Sequence, residues 1–379
     1  MTDKLEGRTY PLNQIYFYLT EGCNLRCRHC WIAPKYQSEN DSYAALDLGL
    51  FKSIVEQAKP LGLTGVKLTG GEPLLHPQIN KILEYVRNED LKVTFETNGV
   101  LCTPELAASI AACNDPFVSV SLDGADAETH EWVRGVKGCF DETMNGIGNL
   151  ANAGLRPQLI MTIMRHNRDQ MEPVVRLAER SGAGSVKFNI VQPTARGEKL
   201  HNSGEALGIR ELVDLGRWVE TTLSDSSPLP LYFSHPAAFR PLGKMFGTNG
   251  GGCGVCGILG ILGVLANGSY ALCGIGETVP DLVFGHAGID RLEDVWTKTP
   301  VLREIREELP YRLEGICGDC LMKEVCLGSC IAQNYYISKS IWAPFWFCQE
   351  AQKLGLFPET RLTPEGLAQL SGMTATQCQ

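Results

Sequence analysis

From residue 14 to about residue 224, short apolar runs alternate with longer segments whose apolar positions recur every three to four residues. The short runs read as strands and the periodic segments as amphipathic helices. Strands are predicted over 14–20, 65–69, 91–97, 117–122, 158–164 and 185–191. Helices are predicted between them over 48–59, 78–89, 104–113, 140–153 and 169–181, with a further one over 209–223. Strands alternating with helices of this length build a parallel sheet from βαβ units. Six such units predict an α/β fold, a partial (β/α)6 TIM-like barrel, with an open doubly wound sheet as the alternative. Both arrangements gather ligands at the carboxyl ends of the strands.

The pattern breaks after Ser224. Residues 225–249 open with a polar, proline-bearing stretch that reads as a linker. Beyond Gly250 regular alternation gives way to glycine and cysteine. Apolar runs at 259–265 and 269–272 flank Asn267-Gly268, a hairpin signal in which both turn residues are expected at positive φ. A helix is predicted near 292–308. The expected organisation is a barrel over 1–224, a linker over 225–249, a small cysteine-rich module over 250–350 and a tail over 351–379. A loop-rich module with little apolar core needs another source of folding energy, and bound metal is one.

Composition narrows the function classes. A net charge of −9 and the lack of a lysine- or arginine-rich run argue against nucleic acid as a partner. The first 20 residues lack a signal-peptide pattern. The most apolar stretch, 258–265, is broken by glycines and far short of the roughly 20 residues needed to span a bilayer. These features predict a cytoplasmic protein with no membrane contact. In a reducing compartment 15 cysteines suggest metal ligation before disulfides. Cys102, Cys113, Cys139 and Cys378 stand apart and read as packing or surface thiols; the other 11 are grouped.

Cys23, Cys27 and Cys30 follow the first strand with the spacing C-x3-C-x2-C. Three thiolates on one loop suit three irons of a cubane and leave the fourth iron open. Zinc is the competing reading, but a structural zinc site wants four ligands, and His29 beside Cys30 is poorly spaced to chelate the same ion. The loop resembles the C-x3-C-x-aromatic-C motif of the radical S-adenosylmethionine (SAM) superfamily, with His29 in the aromatic slot. Gly70-Gly71-Glu72-Pro73 after the second strand resembles the family's GGE(P), which contacts the SAM amino group. Thr97-Asn98-Gly99 ends the third strand and resembles its TNG. Ser121-Leu122-Asp123-Gly124 ends the fourth and resembles the SxDG whose Ser and Asp reach the ribose; Asp123-Gly124 also reads as a plain turn. Arg134 matches an arginine common downstream, and Arg196 lies in a PTGR-like segment, where it either pairs with the SAM carboxylate or is a solvated surface residue. The resemblance implies an enzyme that cleaves SAM reductively to a 5′-deoxyadenosyl radical, which abstracts a substrate hydrogen.

Cys317, Cys320, Cys326 and Cys330 read C-x2-C-x5-C-x3-C, with Cys348 beyond; Cys253, Cys256 and Cys273 lie upstream, Gly268 and Cys273 forming G-x4-C. This run resembles the SPASM module of a subset of radical SAM proteins, which holds two auxiliary [4Fe–4S] clusters. Carried over by position, the resemblance assigns Cys253, Cys256, Cys273 and Cys330 to one cluster and Cys317, Cys320, Cys326 and Cys348 to the other. Paired C-x2-C units also suit zinc, and the radical SAM motifs in the same chain favour iron. The implied cofactors are SAM and three [4Fe–4S] clusters.

Enzymes of this type mostly modify ribosomally made peptides or small proteins oxidatively, and a smaller set acts on small molecules such as tetrapyrroles. A peptide or small-protein substrate is therefore expected, with a tetrapyrrole dehydrogenase or decarboxylase as the alternative and a non-catalytic metal or electron-transfer scaffold as a different class. A flavodoxin- or ferredoxin-type reductant is expected as a partner. Only 22 residues precede Cys23, too few for a winged-helix leader-binding domain, so leader recognition falls to the barrel, the linker or a separate leader-binding protein. Sulfatase maturases of this type carry an Asp after the G-x4-C cysteine, where this chain has Gly274; Glu277 is the nearest downstream carboxylate and the candidate base. Tyr335, Tyr336, Trp342, Phe345, Trp346 and Phe347 read as packing that shields the clusters in preference to a substrate surface.

Overall fold

The computed structural model describes residues 10–38, 40–247 and 256–368; Cys253 and Cys378 lie outside them. Six parallel strands follow the predicted order: β1 (Gln14–Tyr18), β2 (Gly65–Thr69), β3 (Lys92–Thr97), β4 (Asn114–Ser121), β5 (Gln158–Ile163) and β6 (Ser185–Ile190). The helices between them are Leu48–Ala58, Ile79–Asn88, Pro104–Ala111, Cys139–Asn152 and Met171–Arg180, and Ile209–Trp218 follows β6. Period 2 along the strands separates two faces. Val66 and Leu68 on β2, and Val186 and Phe188 on β6, are fully buried beneath the helices. Lys67, Thr69, Glu96, Ser119, Ser121 and Asn189 line a cavity on the other face. The first helix shows how the outer layer holds: Asp47 Oδ1 accepts the Leu50 N–H at 3.0 Å as its N-cap, and Phe51 meets Phe17 of β1 at 4.3 Å between ring centroids. Burying each such side chain contributes roughly 1.5–3 kcal/mol.

Two additions extend this sheet beyond the expected six strands. Within 225–249, read as linker, Leu231–Phe233 forms β7 and pairs in parallel with β6. Three residues bounded upstream by Pro228 and Pro230 are too few to show a period. At the opposite edge Ile261–Val264, β8, pairs in parallel with β1, Gln14 opposite Ile261 and Phe17 opposite Val264. β9 (Ser269–Ala271) and β10 (Val283–His286) follow antiparallel. The sheet order is therefore β10-β9-β8-β1-β2-β3-β4-β5-β6-β7. The cysteine-rich module thus begins as a continuation of the barrel sheet.

Local chemistry changed three expectations. The β8–β9 turn spans Leu265–Gly268, Gly268 N–H donating to Leu265 O at 2.8 Å, and only Gly268 (φ +88°) has a positive φ. The helix expected over 292–308 is two helices, Leu292–Lys298 and Pro300–Glu308. Pro300 drives Thr299 out of the helical region, to ψ 119°. The tail packs back, with Phe357 and Leu362 buried and Leu362 bridging to Cys320. Among the described residues, no helix is long and apolar enough to cross a membrane.

Candidate active site

A cavity of about 340 Å³ opens at the carboxyl ends of the strands, with Cys23, Cys27 and Cys30 on its wall. The cysteine loop is pinned on both sides. Thr20 bridges to Ala45, and Gly22–Cys23 pairs in parallel with Lys35–Tyr36. N–H groups are aimed at the sulfurs: Leu25 N–H lies 3.4 Å from Cys23 Sγ, and Arg134 Nη1 lies 3.4 Å from Cys27 Sγ. Burial, then the Cys27 charge, pushes Cys23 and Cys30 up, so these two thiols need a cation beside them to stay ionised. Among the described residues no three of His, Cys, Asp and Glu converge to hold a single metal ion. The thiolates of a cubane each bind a different iron and need no such point. Soft sulfur ligands, directed N–H donors and an adjoining polar cavity fit an iron–sulfur cluster.

Gly70 and Gly71 owe their places to backbone proximity. A Cβ on Gly71 would stand 1.9 Å from the Gly22 carbonyl oxygen, and Gly70 sits at φ +138° against Leu19 and Thr20. Strand β2 and the cysteine loop touch main chain to main chain. Gly71→Ala is therefore expected to destabilise the protein by several kcal/mol and to lower iron loading. Urea denaturation and iron analysis of the variant test this; wild-type values for both would refute it.

Glu72 is buried on the cavity wall and collects three donors. Its carboxylate accepts from Thr97 Oγ1 at 2.6 Å, Asn98 N–H at 2.9 Å and Leu74 N–H at 3.1 Å. Burial outweighs these bonds and lifts its pKa to about 7. Pro73 is buried and starts the short helix behind Glu72. Asn98 also binds Asn24 Oδ1 at 2.7 Å, joining the TNG and cysteine loops.

Asp123 is not placed as a ribose ligand. It is fully buried and does not line the cavity. Its Oδ2 forms an ion pair with Arg134 Nε at 2.8 Å, and its Oδ1 accepts Thr162 N–H at 2.7 Å. The carboxylate is consumed because Arg134, on helix Ala127–Arg134, is itself buried and turned toward Cys27. Ser121 does line the cavity, as does His29, whose Nε2 lies 3.9 Å from Asp123. Burial draws His29 down to about 4, leaving a neutral imidazole at pH 7.

Arg196 is part-buried and lines the cavity, and two of its guanidinium N–H groups are engaged by the cysteine loop. Its guanidinium donates to Cys27 O at 3.3 Å and Pro34 O at 2.6 Å, and its N–H to Cys30 O at 3.2 Å. It fastens the cysteine loop. Ala195, before it, has φ 49°, and its N–H donates to Tyr336 Oη of the cysteine-rich module at 3.3 Å.

The C-terminal thiols fall into two groups. Burial raises Cys273, and Cys330 is the leading charged influence on both Cys273 and Cys256. Cys317 hydrogen-bonds Cys348, which lowers Cys317 and raises Cys348, with Cys326 and Cys320 as charged neighbours. Cys253 lies outside the described residues. The aromatic cluster is packing: Phe345 and Phe347 are buried, and Phe347 meets Phe239 at 5.1 Å. Cys102, Cys113 and Cys139 are buried.

Glu277 is exposed and does not line the cavity. A Cβ on Gly274 would stand 2.4 Å from the Tyr18 ring, so the phenol fills the space a side chain would need. Tyr18 and a Lys67–Glu96 ion pair of 2.6 Å line the cavity and were missed in the sequence. Their signals were present: Lys67 alternates with apolar residues in β2, and Glu96 directly precedes the TNG.

The Radical SAM superfamily model matches residues 17–178. The chain is 30% identical over 331 residues to an AdoMet-dependent heme synthase of Methanosarcina barkeri, covering 85% of this chain and 91% of that protein. It is 29% identical over 356 residues to the mycofactocin maturase MftC of Mycolicibacterium smegmatis, covering 92% and 85%. The crystal structure of Streptococcus suis SuiB bound to S-adenosylmethionine superposes with TM-score 0.68 at 19% identity, over 90% of this chain and 78% of that one, a likeness of fold.

Proposed function

This chain belongs to the radical SAM superfamily, an enzyme family that uses SAM and a [4Fe–4S] cluster, and from that premise we propose that it modifies a ribosomally made peptide or small protein oxidatively. The observation that carries the chemistry is the set of three cavity-facing thiols, Cys23, Cys27 and Cys30, on a loop that Arg196 and Arg134 fasten. When bound, the cluster and SAM supply a 5′-deoxyadenosyl radical. The protein's part is to hold and orient. Glu72 would present a carboxylate to the SAM amino group, Ser121 would offer a hydroxyl and neutral His29 would line the ligand's cavity, while Arg134 holds Cys27 and Asp123 holds Arg134.

Two auxiliary [4Fe–4S] clusters are part of the proposal: Cys256, Cys273 and Cys330 with Cys253, and Cys317, Cys320, Cys326 and Cys348. The grouping of the thiols supports it. A flavodoxin or ferredoxin would deliver the electron, in the cytoplasm. The peptide reading draws support from the mycofactocin maturase relative and from the same fold in SuiB, which has been crystallised with its precursor peptide SuiA. The heme synthase relative, equally similar, supports a second reading with a tetrapyrrole substrate.

Anaerobic reconstitution should give about twelve irons per chain and SAM-dependent 5′-deoxyadenosine. Mass spectrometry of candidate precursor peptides should then show loss of two hydrogens. Iron-loaded protein that leaves SAM intact in the presence of reductant refutes the proposal.

Glu72 adds a pH signature. Below its raised pKa of about 7 it is protonated and cannot pair with an ammonium. SAM affinity of the iron-loaded protein should therefore rise with pH and level off above about 7. Glu72→Gln should flatten this dependence and weaken binding about tenfold at pH 8. Without ligand the sign is opposite for folding: ionising Glu72 destabilises the protein as pH climbs from 4.5 toward about 7. A pH-independent SAM affinity in the wild type would remove Glu72 from the site.

A further inference from the structure

Residues 192–198 lead from β6 into the helix Arg196–Asn202 through a turn that alanine does not favour. Gly197 N–H donates to Thr194 O at 2.9 Å and closes the turn. Ala195, the second residue of that turn, has φ 49° and ψ −120°. This is the first central position of a type II′ turn, which glycine takes freely and an L side chain takes only under strain. Such a conformation persists where its surroundings hold it. Thr194 is fully buried, and Arg196 N–H donates to Cys30 O at 3.2 Å. Ala195 N–H donates to Tyr336 Oη at 3.3 Å, and the same hydroxyl donates to Glu198 Oε2 at 3.2 Å. One phenol thus spans the turn, accepting on one side and donating on the other.

Tyr336 belongs to the cysteine-rich module. It stands on the helix Ile331–Ser338, which starts directly after Cys330. On the barrel side, Arg196 ties down the carbonyls of Cys27, Cys30 and Pro34. A run of contacts between protein atoms therefore leads from the module, through Tyr336, Ala195 and Arg196, to the loop of Cys23, Cys27 and Cys30. The adjacent ring is placed differently: Tyr335 Oη donates to Asp281 Oδ2 at 3.0 Å, within the module. His201 of the barrel helix also meets Trp346 edge-on at 5.4 Å, so the helix keeps a second contact with the module if the phenol is lost. Removing the Tyr336 hydroxyl leaves Ala195 N–H without its acceptor and lets the strained turn relax. Arg196, one residue on, moves with the turn, and groups that fasten ligand loops tune the metal those ligands bind.

We propose that Tyr336 is a positioning residue for the SAM-binding cluster: its hydroxyl holds Ala195 in the strained turn, and the turn holds Arg196 and the cysteine loop in place. This rests on the reading of Cys23, Cys27 and Cys30 as the thiols of that cluster, and it adds a contact through which the cysteine-rich module acts on them.

The test uses the full-length, iron-loaded chain. SAM titration of the unreduced protein gives the affinity without turnover. Electron paramagnetic resonance of the reduced protein, frozen with and without SAM, isolates the cluster that SAM touches. Tyr336→Phe should lower SAM affinity about fivefold and alter the SAM-dependent part of the spectrum at unchanged iron content. Tyr335→Phe should match the wild type in both. Adding Ala195→Gly to Tyr336→Phe should restore most of the lost affinity, because glycine takes this φ without the hydroxyl's help. Damage confined to the module would not be repaired by a change in the barrel. Wild-type affinity and spectrum in Tyr336→Phe, an equal loss in Tyr335→Phe, a fall in iron content, or a loss that Ala195→Gly does not restore overturns the proposal. Iron-loaded wild-type protein whose spectrum ignores SAM would instead refute the reading of the cysteine loop.

Discussion

Cys27→Ala should lower the iron content from about twelve to about eight per chain and reduce 5′-deoxyadenosine formation below detection. The expectation follows from what surrounds this sulfur. Cys27 is buried, its Sγ receives Arg134 Nη1, and its carbonyl receives Arg196. Removing the thiolate leaves two cysteines on the loop, too few to hold a cubane, and leaves Arg134 facing a void. Cys317→Ala is the control, because Cys317 lies in a different thiol group, with Cys348, Cys326 and Cys320. It should lose a similar amount of iron while the spectral change on adding SAM persists. Iron analysis, electron paramagnetic resonance with and without SAM, and product chromatography read the outcome. Retained SAM cleavage in Cys27→Ala would end the radical mechanism for this chain.

Asp123→Ala should destabilise the protein by roughly 3–5 kcal/mol, the usual cost of removing one member of a buried ion pair. Asp123 has no exposed surface, Arg134 is buried beside it, and no other carboxylate is paired with Arg134 among the described residues. Truncation also strips the Thr162 N–H of its acceptor. Asp123→Asn should cost less, since an amide oxygen can still receive that N–H. Chemical denaturation of the metal-free protein measures both. A direct ribose contact predicts a different result, in which SAM affinity falls and stability does not. Because Arg134 also reaches Cys27, the iron-loaded Asp123→Asn protein should show an altered signal from its SAM-binding cluster even without SAM.

Much of this protein is decided locally. Six strands and their helices are legible because each carries its own period. The cysteine loop and GGEP lie at strand ends because the chain order puts them there. The spacing of Cys23, Cys27 and Cys30 needs no partner from elsewhere to be recognised. The break at Thr299-Pro300 was equally local and was passed over.

What the sequence could not state is which polar groups are used up by others. Asp123 and Arg196 matched cofactor motifs by position, yet Asp123 is spent on Arg134, while Arg196 lines the cavity and also ties down the carbonyls of Cys27 and Pro34. Tyr335 and Tyr336 are indistinguishable as neighbouring tyrosines, and only packing sends one hydroxyl to Asp281 and the other to the turn at Ala195. Joining β8 to β1 sets Gly263 opposite Tyr16 and Gly274 against the Tyr18 ring, residues far apart in sequence. Periodicity and spacing are properties of neighbours along the chain, so the sequence by itself determined the barrel and the thiol motifs. Hydrogen bonds and ion pairs saturate, each acceptor serving few donors, so the side chains left to meet a substrate are decided only when the tertiary structure allots the partners.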